Sequence, residues 1–345
     1  MSMKFSIAGR GFVAGTGLAI LMMASASHAA AATAEKRIAL SNNFAGNSWR
    51  QTMLQSWAAG TGPAIKMGIV KEAPTFTTAE NQVTEQAAQI QNMILQGYDA
   101  IVVDAASPNA LNGAVKSACD AGITVISFDG IVTAPCAWRL TVDFKGMGAE
   151  QVDYLASRLP QGGNLVEIRG LAGTSIDDGF HAGMQDALKR HPNLHVVSTV
   201  YGNWTQTVAQ KAVAGVLPSL PKVDGVLTQG GDGYGAAQAF SSAGRAEPII
   251  IMGNRQDELS WWQQQHAKDG YTTMSSSIAP GIVMLAFWVA QQVLDGKAPP
   301  KDLQVPYLKI TQDMLDATLA KTPSGGLANK LYTQQDAQAL LPVAH

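Results

Sequence analysis

The polar and aromatic side chains able to hold a small ligand fall in a few short segments. They are Ser41-Asn42-Asn43-Phe44, Asp104, Asp129, Asp143, Gly170 to Ser175, Tyr201 to Trp204, Gly230 to Asp232 and Gly253-Asn254-Arg255. Carboxylates, amides and a guanidinium exchange directed hydrogen bonds with hydroxyl groups, and indole or phenyl faces pack on C–H faces. A small polyhydroxylated molecule matches that set. Catalysis is not signalled: the chain has no G-x-S-x-G elbow, Walker loop or H-E-x-x-H pair. GGDGYG at 230–235 departs from G-x-G-x-x-G spacing, and Asp232 would repel a phosphate. Asp129 and Asp178 facing one another could form a glycosidase pair, but nothing else in the sequence favours turnover. The six histidines are scattered and no His/Cys cluster has ligand spacing, so neither metal nor cofactor is expected.

The elements that must position these residues alternate. Apolar runs at Ile38–Leu40, Ile65–Val70, Ala100–Val103 and Val125–Phe128 read as strands. Amphipathic stretches at 48–59, 79–95 and 109–119 read as helices between them. After Asp143 the rhythm restarts, with strands expected at 165–168, 196–200, 226–227 and 249–252. Short apolar strands alternating with helices predict parallel sheets covered on both faces. The fold class is therefore α/β, with two doubly wound, Rossmann-like domains. In such sheets the ligand lies beyond the carboxyl ends of the strands, where the segments above are found. The tail from Thr311 to His345 predicts two short helices separated by Pro323-Ser324-Gly325-Gly326, packed back on a domain surface.

Lys4 and Arg10, the apolar stretch 12–26 and the small residues 24–29 have the order of a secretory signal peptide. The apolar core is shorter than the roughly 20 residues a membrane span needs. Residues 1–29 are read as a signal peptide cleaved between about 29 and 34, the alternative being a membrane anchor. No cysteine near that site could carry a lipid, so the mature protein is expected free in the periplasm. About 310 residues remain, enough for two domains of roughly 150. A formal net charge of -2 argues against a nucleic-acid partner, and a monomer is expected. Cys119 and Cys136, in an oxidising compartment, both fall at the starting ends of adjacent parallel strands. A disulfide fits that placement; two separate buried thiols are the alternative.

From Lys36 to about Ile310 the chain resembles the ribose-binding family of periplasmic sugar-binding proteins. The resemblance rests on ILQGYDAIVVDAASPNAL (94–111), AGITVISFDG (121–130), GLAGTSIDDGFHAGM (170–184), LTQGGDGYGAAQAF (227–240) and IIIMGNRQDE (249–258). It implies two lobes joined by a three-segment hinge, a ligand in the cleft between them, and closure around it. The lobes would be 36–143 plus 278–306, and 144–277 plus 307–345. It also implies a soluble component of an ABC importer that delivers its ligand to permease subunits, or alternatively a sensory protein that presents a sugar to a receptor. Carried over residue by residue, Asn43, Phe44, Asn47 and Trp49 supply an amide and aromatic walls. Asp129 resembles the sugar-binding aspartate, Trp204 a wall from the other lobe, Asp232 the neighbour of a usual asparagine, and Ser277 a usual glutamine. The chain departs from the pattern in three places. Asp177-Asp178 stand where an arginine is frequent, Gly130 where another follows the aspartate, and Arg255 where an aspartate is usual; Asp178 and Arg255 are expected among the ligand-binding residues. Arginine and carboxylate have exchanged sides, so ribose in its usual pose is not expected. Arg50 is read as pointing away from the cleft, a role beside Trp49 being the alternative.

Overall fold

A computed structural model describes residues 1–2, 32–79 and 81–340; the expected signal peptide lies almost entirely outside the described residues. The chain begins with β1 (Ile38–Asn42), α1 (Ser48–Lys66), β2 (Thr75–Thr77) and α2 (Val83–Leu95). It continues through β3 (Ala100–Asp104), α3 (Asn112–Asp120), β4 (Thr124–Phe128) and β5 (Trp138–Thr141). Next come α4 (Phe144–Arg158), β6 (Gly163–Arg169), α5 (Ser175–Leu188), β7 (Leu194–Tyr201) and α6 (Gln206–Val216). They are followed by β8 (Gly225–Leu227), α7 (Gly233–Ser242), β9 (Ile249–Ile250) and α8 (Gln256–Asp269). The last third holds β10 (Ser275–Ser277), α9 (Ile282–Leu294), β11 (Asp302–Gln304), β12 (Leu308–Ile310), α10 (Leu315–Leu319) and α11 (Gln334–Ala339).

Two all-parallel sheets result, one ordered β11-β5-β4-β3-β1-β2 and the other β7-β6-β8-β9. Alternation along the strands decides which face meets which helix. Leu40, Val102, Ile126 and Leu140 share one core with Trp57, Met284 and Phe287. Ile101, Val103 and Val125 turn the other way, onto Ile90, Met93 and Val115. The second sheet repeats the scheme, with Leu165 and Leu227 toward Phe180 and Met184, and Val166, Ile168 and Val226 toward Val213 and Phe240. The doubly wound architecture read from the sequence is the one found.

The chain passes between the sheets from β5 into α4, from β10 into α9, and from β11 into β12. The latter two passages are tied to each other, because β10 and β12 pair antiparallel with Ser275 opposite Ile310 and Ser277 opposite Leu308. Helix α9 is buried from Ile282 to Gln292. An all-apolar helix needs cover on every side, and α9 has it from β3, β4, α1 and α11. Trp57 meets Phe287 edge-on at 5.5 Å between ring centroids.

One expected element differs. Ile65–Val70 is not a strand: α1 runs on through Gly60-Thr61-Gly62-Pro63 to Lys66, and the second strand is the short β2. Gly60 and Pro63 look like helix breakers, and Pro63 does remove a backbone donor. Tertiary packing overrides that cost. A Cβ at Gly60 would lie 2.3 Å from the end of the Met284 side chain, so glycine leaves the room that this side chain of α9 fills. Thr61 and Ala64 are buried by the extra turns, and the helix stops before Gly68, whose φ of 66° ends it.

The tail forms the two expected short helices, but they part company. Helix α10 packs on α8 with Leu315 in a cluster with Leu259 and Trp262, whereas α11 packs on α9. Cys119 and Cys136 are joined as a disulfide across a sequence separation of 17. Closing a loop of that size restricts the unfolded chain, and Cys119→Ala with Cys136→Ala should cost ~3 kcal/mol. Urea unfolding of wild type and double variant measures it; coincident midpoints would show that the bridge contributes nothing.

Candidate functional site

The site grows from the carboxyl ends of β3 and β4 and the first turn of α1. Asn47 caps α1, its side chain accepting from the Arg50 amide at 2.9 Å. That places Arg50 in the first turn, 5% exposed, with its guanidinium turned inward. There Nη1 meets Asp129 Oδ2 at 2.8 Å and also pairs with Asp104 Oδ2. Asp104, fully buried at the end of β3, also accepts from the Gly130 amide at 3.2 Å. The Arg50 guanidinium lies 4.9 Å over the Trp49 ring. Burial pushes the Asp129 carboxyl above its ordinary pKa and Arg50 below its own, each opposed by the charge of the other.

Helix α8 supplies the facing side. Arg255 is its N-cap, with Glu258 reaching back to the Arg255 amide at 3.2 Å. The Arg255 side chain donates to the Trp204 carbonyl at 2.9 Å and to the Ser48 hydroxyl at the start of α1. It forms no ion pair with Asp129 or Asp232, and among the described residues its Nε has no partner. Trp49 Nε1 donates to the Ile278 carbonyl at 2.8 Å, fixing that indole against the β10–α9 passage. Ser277, 6% exposed at the end of β10, offers a hydroxyl with no hydrogen-bond partner among the described residues. Asp129 and Trp204 sit at φ 54° and 53°. That region is uncommon for an aspartate and a genuine outlier for a residue as bulky as tryptophan, and such strain concentrates at ligand sites.

These groups line one cleft of about 590 Å³, its solvent-open mouth included. Of the residues expected from sequence, Asn47, Trp49, Asp129, Trp204, Arg255 and Ser277 meet there. Asn43 and Phe44 line a smaller recess of about 310 Å³ that shares Arg50, Ile176 and Trp204 with the cleft. The Asn43 amide is turned to Asn81 at 2.7 Å. Asp232 is fully buried away from the cleft lining; among the described residues neither of its oxygens has a partner, and the nearby Thr205 amide is committed to the Gly202 carbonyl. Its burial, aided by Glu258, holds that carboxyl well above the usual range. Asp178 is not brought to the cleft: its side chain is 69% exposed, 3.6 Å from Arg169. One position earlier, Asp177 points inward to Arg169, at 3.1 and 2.7 Å, and to Gln229 at 2.7 Å.

Arg50 corrects the sequence reading outright, since it points into the cleft rather than away. Its signal was present: Asn47 is a good cap, and a residue three beyond it lies in the turn facing the strand ends. Gln229, Asn254, Phe144, Met147 and Phe180 also line the cleft. Leu327, from the tail, joins them without any local signal. Among the described residues no group of three His, Cys, Asp or Glu side chains could hold a metal.

A family model described as periplasmic binding protein domain matches residues 38–298. A xylitol-binding protein of Mycolicibacterium smegmatis is 29% identical over 250 residues, covering 71% of this chain and 70% of that protein. A ribose import binding protein of Bacillus subtilis is 24% identical over 258 residues, covering 72% and 82%. The solved structure of an ABC transporter solute binding protein from Thermobispora bispora superposes with a TM-score of 0.83 at 32% identity, covering 88% of this chain and 94% of that one.

Removing the Arg50 charge leaves two buried carboxylates facing each other. Arg50→Met should destabilise the fold by roughly 3–5 kcal/mol. Pairing it with Asp129→Asn should restore part of the loss. Denaturant midpoints of the single and double variants measure this, and an Arg50→Met midpoint equal to wild type would contradict the assigned geometry.

Proposed function

This chain belongs to the periplasmic binding protein family, and on that premise we propose that it captures a neutral monosaccharide or polyol for an ABC importer. The lobes are proposed as 36–143 plus 278–306, and 144–277 with 307–326; the rest of the tail, expected with the second lobe through 345, is taken out of it because α11 packs on α9. The three passages between the sheets act as the hinge. Trp49 and Trp204 stack on the C–H faces of the ligand, and Asp129, Arg50, Arg255 and Ser277 take its hydroxyls. Two of the named relatives, for xylitol and for ribose, concern ligands of this chemistry.

The observation that carries the reading is the sharing of Arg50 between Asp104 and Asp129 at the base of an aromatic-walled cleft. It also bears on charge. One guanidinium faces two carboxylates there, and buried Glu258 lies beside Arg255. With Asp104 and Glu258 counted just behind the lining, Arg50 and Arg255 face three carboxylates, so no surplus positive charge is left to neutralise a sugar acid. A neutral ligand with adjacent hydroxyls can bridge Asp129 and a guanidinium, and losing one hydroxyl would leave a buried charge unpaired. The closed form would then dock on the permease. The leader is proposed to be cleaved between about 29 and 34, releasing an unlipidated periplasmic protein.

A thermal-shift screen against pentoses, hexoses, polyols and sugar acids tests the reading. A true ligand raises the melting temperature as RT ln(1 + [L]/Kd). At least one neutral sugar or polyol is expected to do so and sugar acids to do little. Asp129→Ala should weaken that ligand by about tenfold or more, the worth of a hydrogen bond to a charged group. A response confined to acids, or an Asp129→Ala protein that binds as wild type does, would overturn the assignment. N-terminal sequencing of the exported form is expected to begin within the cleavage window.

A further inference from the structure

The tail beyond Gly326 touches both sides of the cleft within a few residues. The Gln256 amide donates to the Gly326 carbonyl at 2.9 Å, and Leu327 forms an antiparallel bridge with Arg255. The Ala328 amide donates to the Asn254 carbonyl at 2.8 Å, and Asn254 Nδ2 returns a bond to the Ala328 carbonyl at 2.8 Å. Residues 254–256, which carry two cleft-lining side chains, are thus gripped along their backbone. The next residue changes partners. Asn329 Oδ1 accepts from the Gly281 amide at 2.7 Å, at the start of α9, and its Nδ2 donates to Ser56 of α1 at 3.0 Å. Gly281 is held close, for a Cβ there would stand 2.0 Å from the Lys330 carbonyl. Beyond it, Thr333 and Asp336 form a capping box that starts α11. Tyr332 and Ala337 are buried in the core shared with α9, and Gln334 bonds Gln291 at 3.0 Å.

We propose that residues 327–330 are part of the binding site, Leu327 as an apolar wall and Ala328-Asn329 as the step that positions Asn254 and Arg255 against α1 and α9. The proposal rests on the cleft being the ligand site. Consecutive Cα atoms are about 3.8 Å apart, so the step from Ala328 to Asn329 has no slack. Arg255 reaches Ser48 because its own backbone is fixed, through that step, to the same layer of helices that carries Ser48. The tail is a fourth tie between the two halves, beside the three passages of the hinge. Opening the cleft requires either moving 254–256 along with α1 and α9 or breaking the bonds to Leu327 and Ala328.

The test uses hydrogen exchange on the full-length, ligand-free protein, with Asn329→Ala and the conservative Asn329→Asp. Two hydrogen bonds of ordinary worth correspond to about tenfold in an opening equilibrium. Exchange at the Gln256 and Ala328 amides should rise by that factor in Asn329→Ala, stay unchanged in β6 and β8, and return toward wild type in Asn329→Asp. Calorimetric Kd values for xylitol and D-ribose give the second readout. Whichever sugar binds wild type should bind Asn329→Ala about tenfold more weakly, with Asn329→Asp recovering affinity. Unchanged exchange at Gln256 and Ala328, or a rise spread evenly over both sheets, would overturn the positioning role. If neither sugar binds wild type and the wider screen is also negative, the reading of the cleft falls, while the exchange result still decides what the tail does.

Discussion

One guanidinium facing two carboxylates out of water sets the terms for the rest of the molecule. An isolated buried charge is prohibitively costly, and a buried pair is tolerated only when its geometry is good and the remaining lone pairs are satisfied. Arg50 also sits in the first turn of α1, where the helix dipole disfavours a cation. Asp104 and Asp129 offset both costs, and they can do so because β3 and β4 are adjacent parallel strands ending at the same level. The arrangement demands a parallel sheet, a well-capped helix and the hydrogen bond from Gly130 to Asp104 together. It leaves Asp129 at the cleft surface with a carboxylate already half-committed to Arg50.

The same constraint explains why the facing lobe contributes an arginine. Asp129 has a guanidinium behind it, and Arg255 completes the lining from the other side while Glu258 balances its charge through the cap of α8. Glu258 also accepts from the Gly233 and Gly253 amides at 3.0 and 3.1 Å, so a single carboxylate braces two loops that end at the cleft. Polar groups at the base of the cleft are committed in the same manner. Arg169, Asp177 and Gln229 satisfy one another, which fixes the floor, while the Ser277 hydroxyl and Arg255 Nε have no partner among the described residues.

Most of the architecture was legible from the sequence because parallel strands buried on both faces are short apolar runs, and β1, β3, β4, β6 and β8 read that way. Helix α1 was not, because Gly60 and Pro63 carry a local signal that packing against Met284 reverses. Asp129, Trp204 and Arg255 were legible as loop residues at strand ends, and Trp49 through the family resemblance alone. Arg50 was missed because charge on a helix defaults to solvent, and its two partners lie 54 and 79 residues away in sequence. Asp178 was chosen over Asp177 because one step along a helix rotates a side chain by about 100°, and sequence alone does not say which of two neighbours faces in. Leu327 carried no signal, since only the fold brings the tail to the cleft.

Asp129 and Trp204 stand on opposite walls and both occupy the left-handed region of backbone space. A glycine at either position would relieve the strain, which is worth of order 1–3 kcal/mol per residue. The substitutions that would make the backbone more comfortable are therefore the ones that remove the carboxylate and the indole from the cleft. Selection or engineering for thermostability alone would be drawn toward them. A hardened version of this protein must find its stability elsewhere, in the α9 core or along the tail, and leave these two uneasy residues as they are.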